Sequence, residues 1–518
     1  MTEGMICLLD KTWKQFKSGT DIRGVALEGV AGEEVTLTDP VLARMADGFV
    51  LWMSAKTGKT PAELTLSVGH DSRLSAQRIK GVLLARLTRA GCRVLDCGLS
   101  STPAMFMTTV DLGCDGAVQI TASHHPFHRN GLKFFTREGG LDGGDIEAIL
   151  QYAQDGAKPN ANPGGQAVPT NYMAQYAARL RKMICDGVKA EDFDRPLEGF
   201  RIVVDAGNGA GGFYASEVLA PLGADTLGSQ FLEPDGRFPN HIPNPEDEEA
   251  MASICAATLA NEADLGVIFD TDVDRAGCVD SSGREINRNR LVALAASIVL
   301  DQNAGGTIVT DSVTSTGLRE FIQNHLHGVH HRFRRGYRNV INEAQRLCAE
   351  GINAPLAIET SGHAALRENY FLDDGAYLIT KIIIKMARLR RSHKTLDDLI
   401  APLKEPAETA EMRMAIKVED FKAYGGQVIE ALKGFAREHD GWECAKDNHE
   451  GVRIECDAGS GDGWLLLRMS VHDPIMPLNV ESDSEGGVQI MVQTLNGLLQ
   501  GFHGLDTYPL TQYLEEHD

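Results

Sequence analysis

The sequence predicts an α/β protein of several compact units, three alike in pattern and a last one α+β. Its 518 residues are too many for one core and suggest three or four compact units. Short apolar runs end in polar, glycine-containing loops and lead into segments with helical spacing, and the cycle repeats along the first four hundred residues. After Pro406 this alternation gives way to consecutive strand patterns.

In chain order, Leu64 to Val68 reads as a buried strand that enters Gly69-His70-Asp71-Ser72-Arg73, and the helical pattern after it closes on Gly91. A strand from Arg93 to Leu95, a loop over Gly98–Pro103 and a helix to about Leu112 lead to the apolar run Ala117, Val118, Ile120. Asp155 to Thr170, rich in Gly, Pro, Asn and Ala, reads as a loose connection. A second unit begins near Phe200, where Arg201 to Asp205 enters a glycine-rich turn ending at Gly212. That turn lacks the spacing of a P-loop or dinucleotide fingerprint, so it is read as structural and given no ligand.

The third unit carries strands at Thr307–Thr310 and Leu356–Ile358, a hydroxyl-rich loop Asp311–Gly317, a helix from Leu318 and a basic loop Arg334–Arg338. The last unit carries strands at Met412–Val418, Gly451–Cys456 and Gly463–Ser470, with helices at Phe421–Glu438 and about Glu485–Phe502. The expected boundaries are residues 1–190, 191–303, 304–405 and 406–518.

Composition narrows the function. With 72 acidic against 50 basic residues the formal net charge is -22, which disfavours nucleic-acid or anionic-membrane partners and requires a local basic pocket for any anionic substrate. Ten cysteines without a CxxC pair signal neither a zinc site nor a disulfide framework and fit a reducing compartment. The N-terminal stretch is not of secretory type and no apolar run is long enough to span a bilayer, so a cytoplasmic protein is expected.

Two stretches carry chemistry. Gly116–Lys133 delivers Ser123 into a polar loop with His124, His125, His128, Arg129 and Lys133 nearby, donors suited to a phosphate dianion. The strand Ala263–Phe269 runs into Asp270, Asp272 and Asp274 at alternate positions, followed by Arg275. Three close carboxylates repel unless a cation offsets them, and an all-oxygen set selects a hard ion such as Mg²⁺. An EF-hand is excluded, since Arg275 and Ser281 stand where its Gly and Glu are needed. Weaker signals are Arg23 in a glycine-bounded loop, Glu359, Ser361 and His363 at a strand end, and Arg468, Ser470 and His472 between strand and helix, where a phosphate would be gripped.

TASHHP around Ser123, DTDVDR, ETSGH and RMSVHDP stand in the order and at about the spacing of the serine, metal, sugar and phosphate loops of the α-D-phosphohexomutases, and nearly the whole chain resembles that family. GTDIRG, GHDSR, STPAM, NGLK and PDGRFPNHIPNPE are weaker matches. The resemblance implies a four-domain architecture around a central cleft, with phosphosugars as small-molecule partners. It implies a phosphoserine at Ser123, Mg²⁺ on Ser123, Asp270, Asp272 and Asp274, and hexose 1,6-bisphosphate as activator and intermediate. Catalytic roles would fall to Ser123, Lys133, His363, Arg23 and His124, and substrate binding to Glu359, Ser361, Arg338, Arg468, Ser470, His472 and Arg275. The expected reaction interconverts glucose or mannose 1- and 6-phosphates. A hexose 1,6-bisphosphate synthase and a catalytically idle sugar-phosphate-binding protein are the competing readings. The sequence departs from the family pattern at His125, Ile358, Val471, His472 and Asn479.

Overall fold

The structure, a computed structural model, describes residues 9–470 and 473–517. The chain packs as two compact units. The first runs to Leu291 and resumes over Ser361–Asp398; the second takes Val292–Thr360 and the chain from Leu399.

In the first unit, an eight-stranded sheet has the order Lys17–Ser18, Asp21–Val25, Arg129–Thr136, Gly116–Ile120, Thr65–His70, Arg93–Leu99 and Gln166–Pro169, with Gly139–Gly140 paired beside Arg129–Thr136. The last four strands in that order run parallel, as the strand–helix alternation requires. Asp21–Val25 and Gly116–Ile120 each pair antiparallel with Arg129–Thr136. The chain therefore turns straight back after the serine loop, and Ser123 sits in a hairpin loop, a return that sequence periodicity does not reveal.

The helix Asp39–Thr57 has Pro40 in its first turn and closes on Gly58, which takes the left-handed conformation (φ 72°). It buries Leu42, Met45, Ala46, Phe49, Val50 and Met53, at helical spacing, in the sheet's core beside Val118 and Phe134. The loose connection after Asp155 contains an edge strand, Gln166–Pro169, parallel to Arg93–Leu99. Its approach requires Gly165, where a Cβ would stand 2.0 Å from the Thr88 carbonyl oxygen.

A second sheet of the first unit has the order Glu285–Ile286, Ala276–Asp280, Leu265–Phe269 and Ile202–Asp205. Leu265–Phe269 is parallel to Ile202–Asp205 and antiparallel to Ala276–Asp280, so the carboxylate loop is also a turn between antiparallel neighbours. A ribbon of Ala364–Leu366 and Leu372–Asp373 leads into the helix Gly375–Arg390.

The second unit holds a parallel set with Thr307–Thr310 between Val329–Arg332 and Leu356–Ile358. Its other sheet is antiparallel throughout, in the order Glu408–Ala415, Ile475–Ser482, Gly463–Leu467, Val452–Cys456 and Trp442–Cys444. Helices Phe421–Glu438 and Gly487–Leu499 cover it, and Tyr508–Glu516, which the sequence reading did not separate, adds Leu510 to its core. The helix expected from Leu318 is short, Thr316–Glu320, and widens into a π-type turn over Phe321–His325. Among the described residues every cysteine is a free thiol, and no helix is long and apolar enough to cross a membrane.

Gly131, on the strand that follows the serine loop, pairs with Arg23 of Asp21–Val25, and a Cβ there would stand 2.3 Å from the Ile22 carbonyl oxygen. Gly131→Ala is therefore expected to lower stability by about 1–3 kcal/mol, read as a lower urea midpoint at unchanged slope.

Candidate active site

The serine loop opens at the end of Gly116–Ile120. Ser123 is buried and adopts φ 50°, a left-handed conformation that costs energy for a residue with a Cβ and has to be held from outside. Its amide donates to Thr121 Oγ1 at 2.9 Å. The larger restraint is Arg73, a fully buried guanidinium. Nη1 donates to the carbonyls of Pro126 and Arg129, both at 2.9 Å, and Nη2 to those of His125, at 2.5 Å, and Ser123. Nε lies 3.3 Å from Asp71 Oδ2. Burial pushes the Asp71 carboxyl up to about 6 despite that counter-charge.

Asp270, Asp272 and Asp274 are all buried, their nearest oxygens within 4.8 Å of one another. Mutual repulsion would spread such a loop, and its backbone is held at three consecutive carbonyls. Thr271 O accepts from the Ala210 amide at 2.8 Å, Asp272 O from Thr102 at 2.8 Å, and Val273 O from Gly375 at 3.1 Å. Gly209 and Gly375 permit these approaches: a Cβ on Gly209 would stand 2.5 Å from Thr271 O, and one on Gly375 2.7 Å from Arg275 O. The glycine-rich turn read as structural thus supports the carboxylate loop.

The charges are offset on two sides. Lys133 Nζ donates to Asp272 Oδ2 at 3.1 Å and to Asp274 Oδ2, while Arg275 Nε donates to Asp270 Oδ2 at 3.2 Å. Burial, then Asp274 and Asp272, push the Asp270 carboxyl well above its usual range. Burial would raise Asp274 too, yet Lys133 and Arg275 hold it below. Asp272 Oδ1 and Asp274 Oδ1 remain buried without a hydrogen-bond donor. Two orphaned acceptors in an all-oxygen set fit a hard divalent cation.

Ser123 Oγ lies where the two loops meet. It donates to Asp270 Oδ2 at 3.1 Å and accepts from Arg275 Nη2 at 3.0 Å. His124 Nδ1 lies 3.3 Å from Oγ and 2.5 Å from Arg275 Nη2. Because that guanidinium only donates, Nδ1 accepts and the ring is neutral; burial and then Arg275 push His124 down to about 2. Burial and Arg23 likewise push His125 down to about 3. Neither is a standing cation, and His128 and Arg129 are paired instead with Glu33, at 3.2 and 2.7 Å.

The remaining predicted residues divide between the two units. In the first, Arg23 pairs with Asp21 at 3.0 Å. His363 Nε2 lies 3.7 Å from both Asp274 Oδ1 and Asp373 Oδ2, and its Nδ1 is 2.9 Å from Ser361 Oγ. In the second, Glu359 Oε1 accepts from the Gly336 amide at 2.6 Å. Arg338 Nε and Arg468 Nε are buried without a hydrogen-bond partner. Burial lowers the Arg468 guanidinium, and its backbone amide donates to Pro477 O at 3.1 Å. The Ser470 amide donates to Ile475 O at 3.0 Å. Val471 and His472 lie outside the described residues.

Sequence reasoning assigned no role to Arg73, Asp71, Thr102, Asn244 or Asp373. Thr102 Oγ1 donates to Asp272 Oδ2 at 2.5 Å, and Asn244 Oδ1 accepts from Arg275 Nη1 at 2.9 Å. The signal for Asp71, Arg73, Thr102 and Asn244 lay in GHDSR, STPAM and PDGRFPNHIPNPE, polar residues bounded by Gly or Pro beside strand ends, whereas Asp373 lies outside these motifs.

Three family domains match the chain: phosphoglucomutase/phosphomannomutase α/β/α domain I over residues 15–159, domain II over 174–283 and domain III over 287–405. A phosphomannomutase/phosphoglucomutase of Pseudomonas putida is 30% identical over 428 residues, 82% of this chain and 85% of that relative. A phosphoglucomutase/phosphomannomutase of Thermococcus kodakarensis is 30% identical over 491 residues, 91% of this chain and 98% of its own. The crystal structure of a phosphoglucomutase/phosphomannomutase family protein from Burkholderia thailandensis superposes with a TM-score of 0.77 at 26% identity, covering 96% of this chain and 98% of that one.

Arg73→Met leaves Asp71 buried without its counter-charge, and a loss of about 3–5 kcal/mol in chemical denaturation is expected. Removing the cation raises the carboxyl further above 6, so Asp71 is protonated and the loss smaller at pH 5 than at pH 8. Adding Asp71→Asn should recover part of the stability at pH 8.

Proposed function

The chain belongs to the phosphoglucomutase/phosphomannomutase family and is an enzyme of the phosphotransferase mutase type, and from that premise we propose that it interconverts hexose 1-phosphates and 6-phosphates, of glucose, mannose or both, through a phosphoserine at Ser123. The observation that carries this reading is Ser123 Oγ set between Asp270 Oδ2 and Arg275 Nη2, beside two carboxylates with orphaned oxygens. A hydroxyl so placed is next to both a cation site and a fixed guanidinium, the two charge-offsetting groups that phosphoryl transfer uses.

In the proposed cycle the Ser123 Oγ–P bond breaks as a bond forms from phosphorus to the 6-hydroxyl oxygen of a hexose 1-phosphate. The proton of that hydroxyl passes to the protein, and the product is a hexose 1,6-bisphosphate. The bisphosphate turns over, its 1-phosphoryl group returns to Ser123, and the proton returns to the sugar oxygen, giving the 6-phosphate. Arg275 stabilises charge on the transferring oxygens. His363, flanked by Asp274 and Asp373, and Lys133 are the proposed proton carriers. His124 enters as a neutral ring that accepts from Arg275 and steadies the guanidinium, while Arg23 adds positive charge.

Asp270, Asp272 and Asp274, with an oxygen at Ser123, would hold Mg²⁺, which when bound supplies Lewis-acid neutralisation of phosphoryl charge. We assign Glu359 and Ser361 to sugar hydroxyls, and Arg338, Arg468, Ser470 and His472 to phosphate. The domain boundaries proposed above and a cytoplasmic location belong to the same reading.

Phosphorus NMR of the full chain with Mg²⁺, glucose 1-phosphate or mannose 1-phosphate, and a trace of the matching 1,6-bisphosphate tests it. Conversion to the 6-phosphate is expected, lost on chelation of the metal and reduced by more than about 10³-fold in Ser123→Ala. A bisphosphate that accumulates only with a second phosphoryl donor, without isomerisation, would overturn it.

A further inference from the structure

The segment Phe238–Asp247 remains without an assigned role; it rests against the glycine-rich turn after Asp205 and reaches Arg275. The Arg275 guanidinium is committed on one edge to the reacting group, with Nε on Asp270 and Nη2 on Ser123 Oγ and His124 Nδ1. Nη1 points elsewhere: it donates to Asn244 Oδ1 at 2.9 Å, and Glu246 Oε2 lies 3.7 Å from it. A planar fork held at a second edge keeps its orientation when the group facing Nη2 changes from a hydroxyl to a phosphoryl.

Asn244 is itself fixed. Its Oδ1 also accepts from the Glu246 amide at 3.1 Å, its amide donates to Ile242 O at 2.8 Å, and its carbonyl accepts from Asp247 N at 2.9 Å. Asn287 Nδ2 holds the next carbonyl, that of Pro245, at 2.6 Å.

The segment is anchored below by a buried ion pair. His241 Nε2 lies 3.1 and 3.0 Å from the two oxygens of Asp205, and Nδ1 lies 2.9 Å from Ile242 O. A carbonyl only accepts, so Nδ1 carries a proton; facing a carboxylate with its other nitrogen, the ring is an imidazolium. Asp205 raises the His241 pKa even against the burial that opposes it. Asp205 also accepts from Gly207 N at 2.8 Å and Gln230 Nε2 at 2.7 Å. Gly207, at φ 51°, lets Pro243 approach to where a Cβ would stand 2.7 Å away.

We propose that Asn244 is a positioning residue for phosphoryl transfer at Ser123, presented by the segment Phe238–Asp247 on the Asp205–His241 ion pair so that its side-chain oxygen fixes the Arg275 guanidinium. The inference rests on the mutase reading above. Asn244→Ser keeps a side-chain oxygen for the Glu246 amide but is too short for Arg275, whereas Asn244→Asp keeps an acceptor for both. With the full chain, Mg²⁺ and saturating bisphosphate, Asn244→Ser is expected to lose about 10-fold or more in kcat, with KM for the 1-phosphate within about twofold and an unchanged thermal midpoint. Asn244→Asp should stay within about threefold of the parent kcat.

A second readout uses ¹⁵N-arginine labelling, with the Arg275 guanidinium signals identified by their loss in Arg275→Lys. Separate Nη signals from hindered rotation are expected in the parent and in Asn244→Asp, and averaged signals in Asn244→Ser. An active parent whose Asn244→Ser variant keeps kcat within about twofold overturns the positioning role. A parent without isomerase activity instead overturns the mutase reading, and the guanidinium signals then decide the positioning role alone: hindered rotation persisting in Asn244→Ser would overturn it.

Discussion

Three carboxylates with little access to water are the constraint on which the first unit depends. Two like charges about 4 Å apart repel by roughly 4 kcal/mol at an effective dielectric of 20, and the facing oxygens of Asp270, Asp272 and Asp274 lie within 4.8 Å of one another. Such a cluster persists only with counter-charge and a backbone that cannot spread. Lys133 and Arg275 supply the first from opposite sides. The second comes from three successive carbonyls, those of Thr271, Asp272 and Val273, each tied to a different segment by an amide. The glycines at 209 and 375 follow from this: the segments donating those amides have to come closer than a Cβ allows.

The serine loop obeys a parallel rule with the sign reversed. Its carbonyls, not its side chains, are gathered by one cation, Arg73, which holds Ser123 in a left-handed conformation. Asp71 keeps that cation in place, and its raised pKa reflects how strongly burial opposes the arrangement. Both loops are turns between antiparallel neighbours, so small shifts of strand register would move Ser123 relative to Asp270. The pairings of Ile120 with Leu132 and of Phe269 with Ala276 are therefore part of the site's geometry.

The sequence made the carriers of chemistry legible because they are side chains at strand ends: Ser123, the alternating aspartates and Arg275 follow apolar runs. Strands Thr307–Thr310 and Leu356–Ile358 and the helix Phe421–Glu438 stand where periodicity put them. The return strand after the serine and the edge strand Gln166–Pro169 did not show, since pairing partners leave no local pattern. Arg73 and Asn244 stayed silent for a related reason. They act on backbone carbonyls or on another side chain's far edge, and such contacts are set by tertiary approach. The histidines illustrate a different limit: a run of His beside a serine reads as donors for a phosphate dianion, but burial and neighbouring guanidiniums leave His124 and His125 neutral, and His124 Nδ1 accepts from Arg275.

That neutrality bears on how the site handles charge. A protonated His124 would present N–H to the Nη2 donor of Arg275 at a contact of 2.5 Å, two donors facing each other without an acceptor between them. Arg275 would then be turned from Ser123 or the imidazole displaced. Keeping the ring neutral lets one guanidinium serve the histidine, the serine hydroxyl and Asp270 at once, each as acceptor. The positive charge near Ser123 is thereby carried not by histidine but by guanidiniums and by Lys133, with Arg275 and Lys133 beside the carboxylates. Both are anchored to the aspartates that need them, and the Arg275 guanidinium does not depend on pH across the neutral range as a histidine cluster would.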